Sequence, residues 1–579
     1  MRRWTYVVLG LCFFVFFFGL IFTTSNDFSQ DLGRHLKLGE IIVKTHVIPA
    51  TNLFSYTNPS FPFINHHWFS EVIFYLLTSW FAVNALQVVK VVLLMSTLAL
   101  LFWLGKQYSS FGPLILAAAL YTPLLLDRLM IRPELFAYLF FIYVLAAMTY
   151  SEKYLRLAYG LPFVMVFWVN IHISFVFGIF LLGVWLLKLI MKHRSFNKLL
   201  SSRAAHLIII SFICLLINPN FLKGALYPFL IFGNYGYSIV ENQNLFYLSS
   251  VLSNIFISYF FLLTPLTFAS LITLLVKRKY SEAFLLSVFT FLAFYQIRHL
   301  SFFVFLAIPY VGFAMHSWWI ALQNYPWGKQ LKTYSDLIAL GGSVLLLLSA
   351  VLFYSNWFSS TIDLPKRFGV QFTQAYEPGM EFILHNNLKG PIFNDFDIGG
   401  YAIYKLYPRY SVFVDNRPET YPAQFMQDIY IRLQEDDSLR KQVFQRYHIN
   451  TVVLSITDNT PWTKTFSANI ANDPDWKLVY FDSAVVVYTK DTSLPDVRNK
   501  PDYFQQTIDN TSDYLDLLAM VNSLTVYKQT TTAENAFRKA AKINPRSCII
   551  KRVQYQNLLQ SPYFDKTAEL KWNSWYCFL

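Results

Sequence analysis

Two phrases of the sequence hold acids, imidazoles and a guanidinium at spacings suited to proton and phosphate chemistry. Asp31-Leu32-Gly33-Arg34-His35 sets a carboxylate three and four residues ahead of a guanidinium and an imidazole, which a helix would bring to one face. Asn65-His66-His67-Trp68-Phe69-Ser70-Glu71 repeats the four-residue spacing between His67 and Glu71. A carboxylate so placed can take a proton from an acceptor hydroxyl, and cations beside it can stabilise a departing phosphate. Asp31 is the candidate general base, with Arg34 and His35 orienting it or touching phosphate. His66, His67 and Glu71 are candidate phosphate-side residues, and a His/Glu/Asp set could also hold a divalent cation. The alternative is that Asp31 caps a helix while Arg34 and His35 snorkel toward lipid headgroups.

The elements that must position these groups are read from an apolar chain. Of 579 residues, 55% are hydrophobic and only 14% charged, with 57 Phe and 37 Tyr, so much of the chain needs lipid as its solvent. The net charge of +13 does not point to nucleic acid, because the Lys and Arg flank apolar runs as a topogenic signal does. Runs long enough to cross a ~30 Å hydrocarbon layer fall at 4–23, 86–104, 112–126, 133–150, 157–170, 173–191, 204–219, 252–276, 281–296, 301–320 and 335–356. Counting Trp68 to Val83 as a further span would put the basic clusters at 153–156 and 192–203 on the wrong side. That segment is therefore expected to lie in the interface, as is 29–44, giving about 11 spans with two interfacial helices in the first external loop. The N-terminus is expected in the cytoplasm. Arg132, His172, Asn218, Arg298 and His299 then fall at external span ends, where ionisable groups mark a cavity or pathway. Arg132, Arg298 and His299 are the candidates for lipid-phosphate contact, because arginine offers a fork of donors to phosphate oxygens.

From Leu364 onward acids, amides and prolines take over, and an exported soluble part begins. Strands are expected at 391–395, 411–414, 451–454, 477–481 and 484–489, with helices at 401–407, 421–433 and 438–446, a small α/β domain. Asp395, Asp397, Asp415 and Arg417 sit at strand ends, where open α/β sheets bind ligands, and could meet an acceptor; helix capping by Asp397 and a turn at Asp415/Arg417 are the structural alternatives. Around 513–560, Ala533-x-x-Ala536-Phe537-x-x-Ala540-Ala541 and Pro545 resemble one tetratricopeptide unit, too little for a repeat stack, so this tail is expected to pack on the α/β domain or to bind a partner. The expected boundaries are 1–357, 358–500 and 501–579. Cys548 and Cys577 could pair in an oxidising compartment.

Several phrases together resemble the polytopic, lipid-linked-sugar-dependent glycosyltransferases of the GT-C type, and especially a large bacterial group of them. They are the Asp31-x-x-x-His35 start with Gly39-Glu40, Pro49-x-x-Asn52-x-Phe54-Ser55-Tyr56-Thr57, the Asn65-to-Glu71 phrase, Arg132-Pro133-Glu134, Trp168-Val169-Asn170-x-His172, Asn218-Pro219, Arg298-His299, and Asn394-Asp395-Phe396-Asp397-x-Gly399-Gly400-Tyr401. At Gly33-Arg34 the chain departs from the aromatic pair frequent in that group. The resemblance implies a polyprenyl-phosphate sugar donor, inverting transfer, an extracytoplasmic active site in the cytoplasmic membrane, and a glycan, lipid or protein acceptor. Two other classes fit parts of the sequence: a lipid or glycolipid transporter or flippase, which would carry charges through the midplane and show internal repeats, and a non-catalytic scaffold for envelope glycan assembly. No internal repeat stands out, and the candidate residues gather on one side.

Overall fold

The computed structural model describes all residues except 1, 25–30, 151–153, 194–200, 232–234, 252–253, 366, 560–569, 571–576 and 578–579. The chain forms two compact units. Met1–Thr23, Ile64–Gly233 and Ser238–Tyr354 make a helical unit. Thr24–Phe63, the short segment ending at Tyr237, and Ser355–Leu579 make a mixed one.

In the helical unit, Trp4–Ile21, Ala85–Gly105, Phe175–His193, Ile255–Val276, Ile297–Leu322 and Ser335–Tyr354 are long and apolar enough to cross a membrane. Shorter apolar helices at Phe111–Leu126, Glu134–Tyr150, Leu155–Ile171, Arg203–Cys214 and Tyr280–Tyr295 stand where the sequence places the other spans. The basic cluster at Lys153 and the residues from Arg194 to Lys198 lie outside the described residues. Hydrogen bonds join helix ends that the charge pattern groups together. Thr5 Oγ1 donates to Asp336 Oδ1 (3.0 Å), Tyr108 meets Thr149 (3.1 Å) and Ser110 meets His316 (2.9 Å), all at ends grouped on one side by charge. Asn170 Nδ2 to the Ile217 carbonyl (2.8 Å) and Lys90 Nζ to the Thr23 carbonyl (3.3 Å) join ends grouped on the other. Trp68–Phe81 forms the helix expected to lie in the interface. Leu300–Leu322 is the central helix: its first half is wholly buried, and Phe302 meets Tyr138, Phe141 and Phe177 edge to face at 4.7–5.3 Å. Tight aromatic packing of this kind fixes where the helix begins, and with it Arg298 and His299 just ahead of it.

The mixed unit is built on a four-stranded sheet, β1 (Ile392–Asn394), β2 (Thr451–Ser455), β3 (Lys477–Phe481) and β4 (Val485–Thr489), in the order β1-β2-β4-β3. Only β1 and β2 run parallel, and Phe393 faces Val452 across them. Four expected strands and the helices Gly399–Leu406 and Asp437–Arg446 are found. The fifth expected strand, 411–414, is corrected. It pairs with no sheet strand, and the Asn394 side chain takes its backbone groups instead, accepting from Phe413 N (2.9 Å) and donating to the Val414 carbonyl (2.8 Å). Its other edge meets the loop at Ser55, where Val412 N donates to the Phe54 carbonyl (3.0 Å). Residues 421–433 also differ: a wide π turn, Phe425–Ile431, leads into Arg432–Glu435. The tail helices Pro501–Asn510, Tyr514–Val526, Thr530–Ile543 and Cys548–Leu559 share one hydrophobic core with the sheet, through Phe504, Leu517, Ala536 and Ile550. The tail thus packs on the α/β layer, and a Cys548–Cys577 disulfide fastens its end.

Candidate functional site

The base candidate is built by two helices and a turn of the mixed unit. Leu32–Thr45 forms as the phrase predicts, and Ser29 and Gln30, the start of the expected helix, lie outside the described residues. It lies against Gly399–Leu406 so closely that a Cβ on Gly33 would come 3.0 Å from Tyr404 Cβ and 3.1 Å from the Gly400 carbonyl. A larger side chain there would have to push this contact apart. Asp31 precedes the first turn, yet its side chain caps no backbone N–H. Instead, Arg34 Nη2 donates to Asp31 Oδ1 at 3.0 Å and Asn416 Nδ2 donates to the same oxygen at 2.8 Å. Arg34 is 7% exposed and Asp31 22%, so the cation is fixed while the acid still reaches solvent. His35 is buried one turn along, its backbone N–H bonded to the Asp31 carbonyl at 3.1 Å.

Asn416 is held from both sides by a buried network. Arg417 clamps Asp415 with Nε on Oδ1 (2.7 Å) and Nη2 on Oδ2 (2.8 Å), and Tyr421 donates to the same carboxylate at 3.0 Å. Arg417 Nη2 also reaches Asn52 Oδ1 (3.1 Å), and its guanidinium lies over Phe54 and Phe63, 5.2 and 4.9 Å from the ring centres. Burial alone would lower the Arg417 pKa, but the paired Asp415 raises it above its ordinary value. This pair is accordingly directed at its own neighbours: it ties the 52–63 loop to the 415–421 turn and thereby aims Asn416 at Asp31.

Asp395 is fully buried and accepts from Ile398 N (2.9 Å) and from Ser455 N, so it, and not Asp397, closes the turn before the Gly399 helix. Burial, with Asp458 and Asp397 nearby, pushes its carboxyl well above the usual range. Asp397 keeps an exposed surface but is crowded by protein on its other sides. That crowding, and then the charges of Asp458 and Asp31, raise it to about 6. Asp31 and Asp397 are thus close enough to feel each other's charge.

The helical unit gathers a second set of charges. Arg128 ends the turn Thr122–Arg128, Arg132 precedes the helix Glu134–Tyr150, and Arg298 lies in the turn Ile297–His299. All three meet Glu241, in the turn Val240–Asn242. Arg132 Nη1 is 2.7 Å and Arg128 Nη1 2.9 Å from Oε1, with Arg128 Nη2 3.4 Å and Arg298 Nη2 3.9 Å from Oε2. Glu134 lies 3.6 Å from Arg128. Burial would raise the Glu241 carboxyl, but Arg132, Arg128 and Arg298 outweigh it and hold it well below the ordinary range. The His299 ring stands edge-on to Phe177 at 5.4 Å.

A third set stacks beside it in sequence phrase and in space. His66 and His67 have ring centres 4.0 Å apart, and His67 lies 5.3 Å from His172. His67 Nδ1 pairs with the Ile171 carbonyl (3.0 Å), His172 Nδ1 with Ser174 Oγ (2.7 Å), and the Trp68 indole donates to Asn170 (2.8 Å). Glu71 is fully buried and accepts from Asn65 at 2.6 Å, so the closing phrase folds back on itself. Among the described residues, no three His, Cys, Asp or Glu side chains are grouped to hold a metal ion.

Sequence reasoning missed Asn416, Arg128 and Glu241, and gave Asn52 no role beyond its phrase. Glu241 carried a signal, as the only acid between Glu152 and Glu282. Arg128 stands beside Asp127 and four residues before Arg132, at the end of an apolar run. Asn416 carried none, since an amide in a turn looks like any other.

The arrangement of apolar helices, with a first loop that folds with the α/β unit, is the fold of solved membrane oligosaccharyltransferases. The chain is similar to the archaeal oligosaccharyltransferase AglB of Archaeoglobus fulgidus in complex with an inhibitory peptide and a dolichol-phosphate, at a TM-score of 0.56 and 11% identity over 85% of this chain and 75% of that one. It is similar also to the apo form of the Archaeoglobus fulgidus oligosaccharyltransferase (0.53, 11%, 81% and 71%) and to that enzyme tethered to an acceptor peptide containing the NVT sequon (0.52, 11%, 86% and 75%). No family model matches the sequence, and no curated protein does. At 11% identity the likeness fixes the fold, a multi-pass membrane architecture.

Proposed function

We propose that the protein is an inverting glycosyltransferase of the cytoplasmic membrane that moves a sugar from a polyprenyl-phosphate donor to a glycan, lipid or protein acceptor outside the cytoplasm. Asp31 takes the proton of the acceptor hydroxyl as its oxygen bonds to the sugar's anomeric carbon. The carbon–oxygen bond to phosphate breaks, and its electron pair leaves with the polyprenyl phosphate. Arg34 and Asn416 orient the base, Arg132 and Arg298 with Arg128 receive the phosphate charge, and Asp397 stands on the acceptor side. His299, His66, His67 and Glu71 are assigned to the surroundings of the phosphate. A divalent cation, if one takes part, would add charge for the phosphate oxygens.

One observation carries the reading: an acid that precedes a helix does no capping and is held instead by a cation and an amide on one oxygen, while part of it stays open to solvent. The fold it shares with an oligosaccharyltransferase solved in complex with a dolichol-phosphate supports a lipid-phosphate donor. The test is the glycolipid and glycan content of cells carrying Asp31→Asn in place of the wild-type chain, at matched protein level. Loss of one glycosylated species is expected. Transfer equal to wild type would overturn the assignment in favour of a scaffold.

A further inference from the structure

Between the spans expected at 204–219 and 252–276, the chain forms a helix whose faces are the reverse of those on a water-facing surface. In Phe221–Leu230 the small residues Gly224, Ala225 and Pro228 are buried, while Leu222, Leu226, Phe229 and Leu230 are 54%, 45%, 55% and 65% exposed. Those four stand at i, i+4, i+7 and i+8, which is one stripe of a helix. In water such a stripe turns inward. Here three contacts set the roll of the helix and keep the stripe outward. Asn218 Nδ2 donates to the Leu215 and Phe221 carbonyls, both at 2.8 Å, and so pins the helix start to the end of the helix Arg203–Cys214. A Cβ on Gly224 would fall on the Asn218 side chain, so the small face is what permits this approach. Tyr227, beside that face, has its ring 5.2 Å from the ring of His66.

We infer that Phe221–Leu230 lies in the plane of the membrane interface, with Leu222, Leu226, Phe229 and Leu230 among lipid acyl chains. The inference rests on the multi-pass membrane fold and not on the choice of donor or base. At ten residues the helix is about 15 Å long, half of what crossing a ~30 Å hydrocarbon layer takes, so it lies on the layer instead of spanning it. Apolar exposure runs on along the chain in both directions. The helix ahead exposes Ile209, Ile210 and Ile213, and Ile217 follows in the turn. After the Glu241 turn, the helix Leu245–Val251 exposes Phe246 and Val251, and Phe246 stacks on Phe294 of the helix Tyr280–Tyr295 at 5.4 Å. These residues stand on separate helices, and lipid covers all of them as one medium where a second copy of the chain would cover one patch. Lys223 is exposed at the edge of the stripe, and its long stem lets the ammonium reach the headgroups while the neighbours stay in the acyl region. Through Tyr227 the same helix touches the histidine stack, so the bilayer surface and that stack share one support.

The experiment puts a nitroxide on the full chain in phosphatidylcholine nanodiscs through single cysteines, with Cys12→Ala and Cys214→Ala as background. Leu226→Cys and Phe229→Cys report on the stripe, Ile213→Cys on the preceding helix, and Lys464→Cys on an exposed site of the mixed unit. Collision with oxygen, which concentrates among acyl chains, is compared with collision with a water-soluble nickel chelate. Positions 226 and 229 are expected to favour oxygen, as 213 does, at a depth of about 5–10 Å below the headgroups, while 464 favours nickel. A preference for nickel at 226 and 229 would overturn the inference by placing the stripe in water. Low access to both reagents would overturn it too, by showing that protein covers the stripe, whether this chain or a second copy. Should the cysteine variants not fold, the wild-type chain in discs containing a phospholipid with a diazirine on its acyl chain gives the same answer. Crosslinks are expected within 221–230 as well as within 209–217. Labelling of 209–217 without 221–230 would overturn the inference.

Discussion

The two charged regions are opposites in composition. In the mixed unit one acid, Asp31, is held by one arginine and an amide, with the carboxylate of Asp397 near enough to feel its charge. In the helical unit one acid, Glu241, is ringed by three arginines. Glu241 is held ionised well below the ordinary carboxylate range, so it cannot serve as a base near neutral pH and acts as a counter-ion. Asp31 is bound by Arg34 and by Asn416, keeps part of its surface open, and stands near Asp397. In the proposed reaction, the first region is assigned the acceptor's proton and the second the negative charge of the leaving phosphate.

The largest effect that could break this contrast is expected at Asp31. Asp31→Asn should lower the transfer rate by roughly two to four orders of magnitude, measured on purified protein with a lipid-phosphate sugar, while thermal unfolding stays near wild type. Next comes the clamp behind the base. Arg417→Met leaves Asp415 buried without its partner and should destabilise the mixed unit by about 3–5 kcal/mol, read as earlier protease cleavage of the 364–559 region on heating. Asn416→Ala tests orientation without removing the base. A loss of about tenfold in kcat with a displaced acidic limb of the pH–rate profile is expected, and an unchanged profile would show that the amide only packs.

The smallest effect concerns Asp397. Its folded pKa of about 6 lies above that of the unfolded chain. The stabilisation tied to its protonated form is therefore full below about pH 4 and is lost as pH rises through 6. Asp397→Asn should flatten the fall in unfolding temperature between pH 4 and pH 7, a modest change because the side chain is partly open to solvent.

Much of the frame is legible in the sequence because it depends on local patterns. Apolar run length locates the helices, and hydrogen bonds join helix ends that the bias of Lys and Arg groups together. The closing phrase 65–71 reads as a helix start, and Trp68–Phe81 is helical. The three-residue spacing of Asp31 and Arg34 anticipates their ion pair. The 411–414 segment misleads because its residues favour a strand, while the partner that decides the matter is the side chain of Asn394.

By itself, then, the sequence determined which stretches form apolar helices and that Asp31 and Arg34 come together, since hydropathy and helical period act over a few neighbouring residues. Tertiary structure alone decided that Asn416 reaches Asp31 across 385 positions, that Arg417 serves as a clamp, and that arginines from three span ends meet on Glu241. Those contacts follow from how helices and turns pack, and no local period encodes which distant side chain will fill a gap beside a charge.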